Sequence, residues 1–135
     1  DIVNYLVENG ASVNPEDEFE ESALHLAAKA GKVDVVKYLV ENGANVNWKN
    51  ECGKCSLHLA AEAGHLDIVK YLVENGASVN WRDKLGITAV YLAAKAGNVE
   101  IVKCLAEIGA SINLEDEVRL DLHNIKRVST YCCFL

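Results

Sequence analysis

Apolar residues recur along this chain at helical spacing, in two kinds of segment. The shorter kind contains Leu24, Leu26 and Ala27, has small residues along one face and is followed by a glycine. The longer kind, such as residues 33–40, places valine and leucine three and four positions apart. Because this spacing places apolar side chains on one face of a helix, the pattern predicts pairs of amphipathic helices.

The two kinds of segment recur together with a period of 33 residues. The end of the longer segment has three near-identical copies and a degraded fourth, at Leu6–Asn14, Leu39–Asn47, Leu72–Asn80 and Leu105–Asn113. The glycines that follow the shorter segments keep the same period, at Gly31, Gly64 and Gly97. One such unit cannot bury its apolar face alone, so the repeats are predicted to stack side by side.

A polar stretch separates each longer segment from the next shorter one. Residues 47–53 read NWKNECG, which is long enough for a β-turn, and Asn and Gly tolerate positive φ. We therefore expect a projecting turn, here called a finger, before each short helix.

With these features the chain resembles the ankyrin-repeat family. Residues 50–64, with Gly53, Leu57 and His58 among them, are similar to the signature in which T-P-L-H opens the first helix. The resemblance covers residues 1 to about 113 and implies an all-α solenoid of helix pairs with β-hairpin fingers at one edge. The chain departs from the family pattern because no proline follows Ser22, Cys55 or Thr88. Ser22 and Thr88 can still cap a helix, whereas Cys55 is a poor cap, at a cost of about 0.5–2 kcal/mol.

The register of the repeats predicts the domain organisation of the chain. Residues 1–14 form a partial repeat that holds a second helix, and full repeats occupy 15–47, 48–80 and 81–113. Residues 114–135 lose the pattern and are interpreted as a degenerate capping segment. No cap precedes the first helix, which predicts further repeats before residue 1.

Composition narrows the possible partners and the cellular setting. The net charge of −7 argues against nucleic acid, because binding to phosphates needs Lys and Arg. Five cysteines without framework spacing favour a reducing, intracellular compartment, taken as the cytoplasm. No run approaches the roughly 18 apolar residues of a membrane span. We expect a monomer without a cofactor.

Several residues are candidates for catalysis or metal binding. The resemblance implies that the equivalent His25 and His58 are structural and bond backbone and hydroxyl groups between repeats. Cys52, Cys55 and His58 have the spacing of a partial zinc site, but no fourth ligand stands in register, so no metal is predicted. Without a nucleophile and base that converge, we predict that the chain is not an enzyme.

Two sequence patterns match sites of covalent modification. The four C-terminal residues starting at Cys132 have the form of a prenylation box, although a chance match to this loose pattern is the stronger interpretation. The asparagines that end each LVENGASVN-type segment resemble the positions hydroxylated in some members of the family, but bonding of the turn backbone suffices to explain them. These are Asn14, Asn47, Asn80 and Asn113.

The resemblance also implies a binding surface on the fingers and the exposed face of the first helices. By register, the partner-binding candidates are Phe19, Glu21, Lys29, Trp48, Lys49, Glu51, Lys54, Glu62, Trp81, Arg82, Lys84, Leu85, Ile87 and Lys95. The same row includes Glu18, Cys52, Glu115, Glu117 and Val118. Trp48 and Trp81 are interpreted equally as binding anchors or as a packing ladder between fingers. The charges form acidic, basic and acidic bands, which either match a partner or are a solvated rim.

The predicted function is an interaction module that binds a partner protein on the concave face of fingers and first helices. One alternative is a passive spacer within a longer array. Another is a regulatory segment of a larger protein whose catalytic domain lies elsewhere. A binder predicts that Trp48, Trp81 and Arg82 are exposed, whereas a spacer predicts that they are packed.

Overall fold

The computed structural model describes residues 13–15 and 20–109. The described residues form six helices: α1 Ala23–Ala30, α2 Val33–Glu41, α3 Ser56–Ala63, α4 Leu66–Glu74, α5 Ala89–Lys95 and α6 Val99–Ile108. Each short helix is followed within a few residues by a longer partner, as the period predicts. Residues 1–12 of the partial repeat and the segment 114–135 with Cys132 lie outside the described residues, as do Glu18, Phe19 and Asn113.

The helix ends follow from a few residues in each repeat. The Oγ of Ser22 accepts a hydrogen bond from His25 N at 3.2 Å, and Oγ1 of Thr88 accepts one from Tyr91 N at 3.3 Å. Both side chains therefore satisfy an N–H that the first turn of a helix leaves unpaired, as predicted. At the other end, Gly31 and Gly64 close α1 and α3 with φ of 77° and 86°. This left-handed conformation is available to glycine at little cost.

The helices form two layers. The short helices α1, α3 and α5 pack side by side in one layer, and α2, α4 and α6 form the second layer, each against the short helix of its own repeat. Ala60 and Ala93 are fully buried in the short-helix layer, where small side chains let adjacent helices approach closely. The core between the layers repeats with the sequence, and its largest members include Leu24, Leu39, Leu57, Leu72, Ile101 and Leu105.

The fingers differ in one detail from the predicted β-hairpins. Each finger in the described part of the chain is a turn: Asn50 N donates to Lys54 O at 3.0 Å, and Asp83 N donates to Ile87 O at 2.9 Å. A single backbone bond, from Lys84 N to Cys52 O at 3.1 Å, joins the two fingers. Isolated bonds of this kind do not make the paired ladder of a β-strand, so the described residues contain no strand. Nor does any described helix have the length and apolar content needed to cross a bilayer.

Candidate protein-binding surface

Two buried histidines attach each finger to the repeat before it. His25 Nε2 donates to Lys54 O at 2.9 Å, and His58 Nε2 donates to Ile87 O at 3.0 Å. Since a carbonyl oxygen can only accept, Nε2 carries the proton and Nδ1 is the acceptor. Nδ1 of His25 lies 2.6 Å from Ser22 Oγ. These bonds confirm the structural role that was predicted for the two histidines.

The buried Cys55–His58 pair has the geometry of a reactive dyad but not its electrostatics. Cys55 Sγ lies 3.2 Å from His58 Nδ1. Burial raises the pKa of the Cys55 thiol above 9.0 and lowers the pKa of the His58 imidazole below 6.5, so both groups are neutral near pH 7. A neutral thiol that donates to a neutral ring has neither the thiolate nor the accessibility of a nucleophile. In the described ranges, no three His, Cys, Asp or Glu side chains gather as a metal site.

The histidines make the stability of the array depend on pH. Burial is the main reason that the pKa values of His25 and His58 fall below the ordinary 6.5, so the unfolded chain binds protons more readily than the folded one. We expect the free energy of unfolding to be fully retained above pH 6.5 and to fall below it, by up to about 1.4 kcal/mol per pH unit for each histidine. Urea unfolding at a series of pH values measures this slope. If NMR titration gave the two imidazole rings midpoints at or above pH 6.5, lowered histidine pKa values could not be the cause of the slope.

Each tryptophan bonds to the finger that precedes it in the stack. Trp48 Nε1 donates to Glu20 O at 2.8 Å, and Trp81 Nε1 donates to the equivalent Gly53 O at 2.9 Å. Trp48 is half-buried, whereas Trp81 retains 37% of its surface exposed. These bonds between fingers match the interpretation of the two tryptophans as a packing ladder. The exposed part of Trp81 remains accessible for a contact as well.

The repeated asparagines bond backbone groups across the repeat boundary. Asn47 Nδ2 donates to Gly76 O at 3.1 Å while its Oδ1 accepts from Ser78 N at 2.9 Å. Asn14 makes the same two contacts one repeat earlier, to Gly43 and Asn45. The nitrogen and the oxygen of each side-chain amide therefore both bond the backbone of the next repeat. This structural role accounts for the recurrence of asparagine without hydroxylation.

The partner-binding candidates fall into three groups by exposure. Those exposed to solvent are Glu21, Lys29, Glu51, Glu62, Trp81, Arg82, Lys84 and Lys95. Those half-buried are Trp48, Lys49 and Leu85. Lys54 and Ile87 are buried, and Phe19 lies outside the described residues.

Lys54 and Ile87 occupy the same position in consecutive repeats and are 4% and 2% exposed. The carbonyl oxygen of each is bonded by the histidine of the preceding repeat, which places the residue between two repeats. Ile87 packs with Tyr91 and Leu92, while Lys54 Nζ lies 3.8 Å from Glu62 Oε2. The prediction that Lys54 and Ile87 lie on the binding surface is therefore wrong. Both side chains are in the interior between repeats and present little surface to a partner.

A family model described as ankyrin repeats (3 copies) matches residues 1–83 and 45–116. The chain belongs to the ankyrin-repeat family. No curated protein matches the chain. Ankyrin repeats are generally protein–protein interaction modules and are typically not catalytic, which agrees with the general function predicted from the sequence.

One exposed apolar residue of this ankyrin array was not among the predicted contacts. Leu26 on α1 is 56% exposed, whereas its equivalents Leu59 and Leu92 are buried. The sequence pattern gives no signal for this exposure, because Leu59 and Leu92 hold the same position in their repeats and are buried. Leu26 lies on the short-helix side of the array, one turn before the exposed Lys29.

The charged residues follow a different pattern on each side of the ankyrin array. Each long helix carries two acidic residues and one lysine at the same repeat positions, for example Asp67, Lys70 and Glu74 in α4. On the finger and short-helix side, the composition changes along the stack. The described part of the first repeat has Glu20, Glu21 and Lys29. The third has Arg82, Lys84 and Lys95 at the surface, so this side changes from acidic to basic.

Proposed function

We propose that this ankyrin array binds a partner protein on the concave face made by its fingers and short helices. The observation that carries the proposal is that exposed, chemically varied side chains stand on fingers already held in place. The bonds from His58 to Ile87 O and from Lys84 N to Cys52 O fix the finger of repeat 81–113, called the third finger, before any partner arrives. A surface whose backbone is ordered in advance loses less conformational entropy on binding, which favours affinity.

The composition of the surface supports the same proposal. The exposed candidates include an aromatic residue and an arginine, Trp81 and Arg82, which are enriched where interfaces gain most of their energy. The opposite, long-helix side instead repeats one charge pattern in every unit. The exposed side chains therefore vary from repeat to repeat on the finger side and repeat on the long-helix side. Recognition of a particular partner requires such a varied surface.

A spacer function is the second candidate, and the tryptophan bonds favour it. Because the indole N–H groups of Trp48 and Trp81 are used between fingers, alanine substitution there would disturb folding as well as binding. The two functions are better separated with exposed charged residues. Those residues can be reversed without disturbing the ladder.

The test compares two matched sets of charge reversals. The finger-side set is Glu21→Lys, Lys29→Glu and Glu51→Lys with Arg82→Glu, and the long-helix set is Asp34→Lys, Lys37→Glu and Asp67→Lys with Lys70→Glu. Each set changes four exposed charges, and far-UV circular dichroism checks that the helices persist. We expect proteins captured from a cell extract by the parent chain to be lost only with the finger-side set. Loss with the long-helix set alone, or an unchanged capture with both, would reject the concave face as the binding site.

A further inference from the structure

The third finger presents cations and turns its acidic residue inward. Arg82 and Lys84 are exposed, and Arg82 Nη1 donates to Gly86 O at 3.0 Å, which holds the guanidinium at its own turn. Between them, Asp83 is buried. Its Oδ1 accepts from Leu85 N and from Ile87 N, each at 2.9 Å. The turn therefore uses the carboxylate internally and leaves basic side chains at its surface.

Two further cations lie beside this finger. Lys49 Nζ lies 3.1 Å from the centroid of the Trp81 ring, so a cation–π contact places it on an aromatic surface that is still partly exposed. Lys95 lies on α5 at the position that Glu62 holds in the preceding repeat. The 3.8 Å contact of Glu62 with Lys54 shows that this position reaches the end of its own finger. Lys95 is exposed and holds the corresponding position of the third repeat.

We call Lys49, Trp81, Arg82, Lys84 and Lys95 the basic–aromatic patch. It is unusual because the chain has a net charge of −7. The neighbouring exposed charges along the same side are mostly acidic: Glu20 and Glu21 lie beside Lys29 in the first full repeat, and Glu51 and Glu62 lie in the second. A local patch of opposite sign to the whole molecule steers and orients a complementary partner and repels others.

We propose that the basic–aromatic patch binds an acidic segment of a partner protein that also carries an apolar side chain. The acidic groups of the segment pair with Arg82, Lys84 and Lys95, and the apolar group contacts the exposed part of Trp81. This proposal rests on the proposed function, because it names the partner chemistry of part of the same surface. A protein segment fits better than nucleic acid, since DNA carries a negative charge about every 1.7 Å and would continue onto the acidic second and first repeats.

The experiment selects random dodecapeptides displayed on phage against the intact chain at physiological ionic strength. Fluorescence anisotropy then measures the best labelled peptide against two triple variants with equal change in net charge. The patch variant is Arg82→Glu, Lys84→Glu and Lys95→Glu. The control is Lys37→Glu, Lys70→Glu and Lys103→Glu, three exposed lysines at one repeat position on the long helices. A single-stranded oligonucleotide and a duplex are measured in the same assay.

The proposal expects enriched peptides with an excess of Asp and Glu around an apolar residue, and binding at least about tenfold weaker for the patch variant only. It also expects the patch variant to bind the peptide in which Lys replaces each Asp and Glu. Peptides without acidic excess, equal losses for both variants, or an oligonucleotide bound as tightly through the patch would overturn it. If the selected peptides lose binding with Glu21→Lys, Lys29→Glu and Glu51→Lys instead, the proposed function stands and the patch assignment fails. If no peptide is enriched, or none depends on any finger-side residue, both proposals fail.

Discussion

Replacing His58 with alanine is expected to lower the free energy of unfolding by about 3–5 kcal/mol, a large part of the stability of a domain of this size. The ring is fully buried and contacts three groups: Cys55 N, Cys55 Sγ and Ile87 O. Its removal leaves a cavity and deprives a buried carbonyl of its donor, each of which is costly. Because the bond to Ile87 joins the second and third repeats, the loss also weakens the interface on which a stacked array depends. Urea unfolding followed by far-UV circular dichroism measures the change.

His65 provides the control for this substitution. It also makes a bond between repeats, from Nε2 to Lys29 O at 3.1 Å, but it is only half-buried. Water can replace the lost donor there, so His65→Ala is expected to cost about 1 kcal/mol. If His58→Ala and His65→Ala cost the same small amount, the histidine between the finger and the short helix is not a main link between repeats.

The order of the helices and most of their ends could be predicted from the sequence, because each depends on local chemistry that repeats. Leu57 and Leu72 mark helix faces by their spacing, and the equivalent glycines Gly31 and Gly64 each end a short helix. The family match covers residues 1–116 and includes the same units. A pattern that is both local and periodic needs no knowledge of contacts between repeats.

The exposure of individual surface candidates was less predictable, because it depends on how one repeat lies against the next. Register placed Lys54 on the surface, but the bond from His25 holds its backbone in the interior. The dual environment of Trp81, with its N–H bonded and its ring partly exposed, likewise requires the position of Gly53 in the preceding finger. Leu26 is a further case, since Leu59 and Leu92 have the same spacing in their repeats and are buried.

Gly53→Ala is expected to lower the free energy of unfolding by about 2–4 kcal/mol. Gly53 has φ of 74°, and an alanine in this left-handed region costs about 1–2 kcal/mol. The added Cβ would also lie 2.9 Å from Lys84 N, a backbone atom that cannot rotate away as a flexible side chain does. Relief requires the two fingers to separate, which breaks the 3.1 Å bond from Lys84 N to Cys52 O. Thermal and urea unfolding of the substituted chain measure the loss.

Gly86→Ala is the matched comparison, because it isolates the contact between fingers from the backbone effect. Gly86 is the equivalent residue in the third finger and has a similar φ of 79°, but among the described residues no atom beyond its chain neighbours lies within 4 Å of a Cβ placed there. It should therefore cost only the backbone part, about 1–2 kcal/mol. The excess loss at Gly53 measures how firmly the second and third fingers are held together. Equal losses would mean that they are not in contact, and the basic–aromatic patch, which spans both fingers, would then lack a fixed geometry before a partner binds.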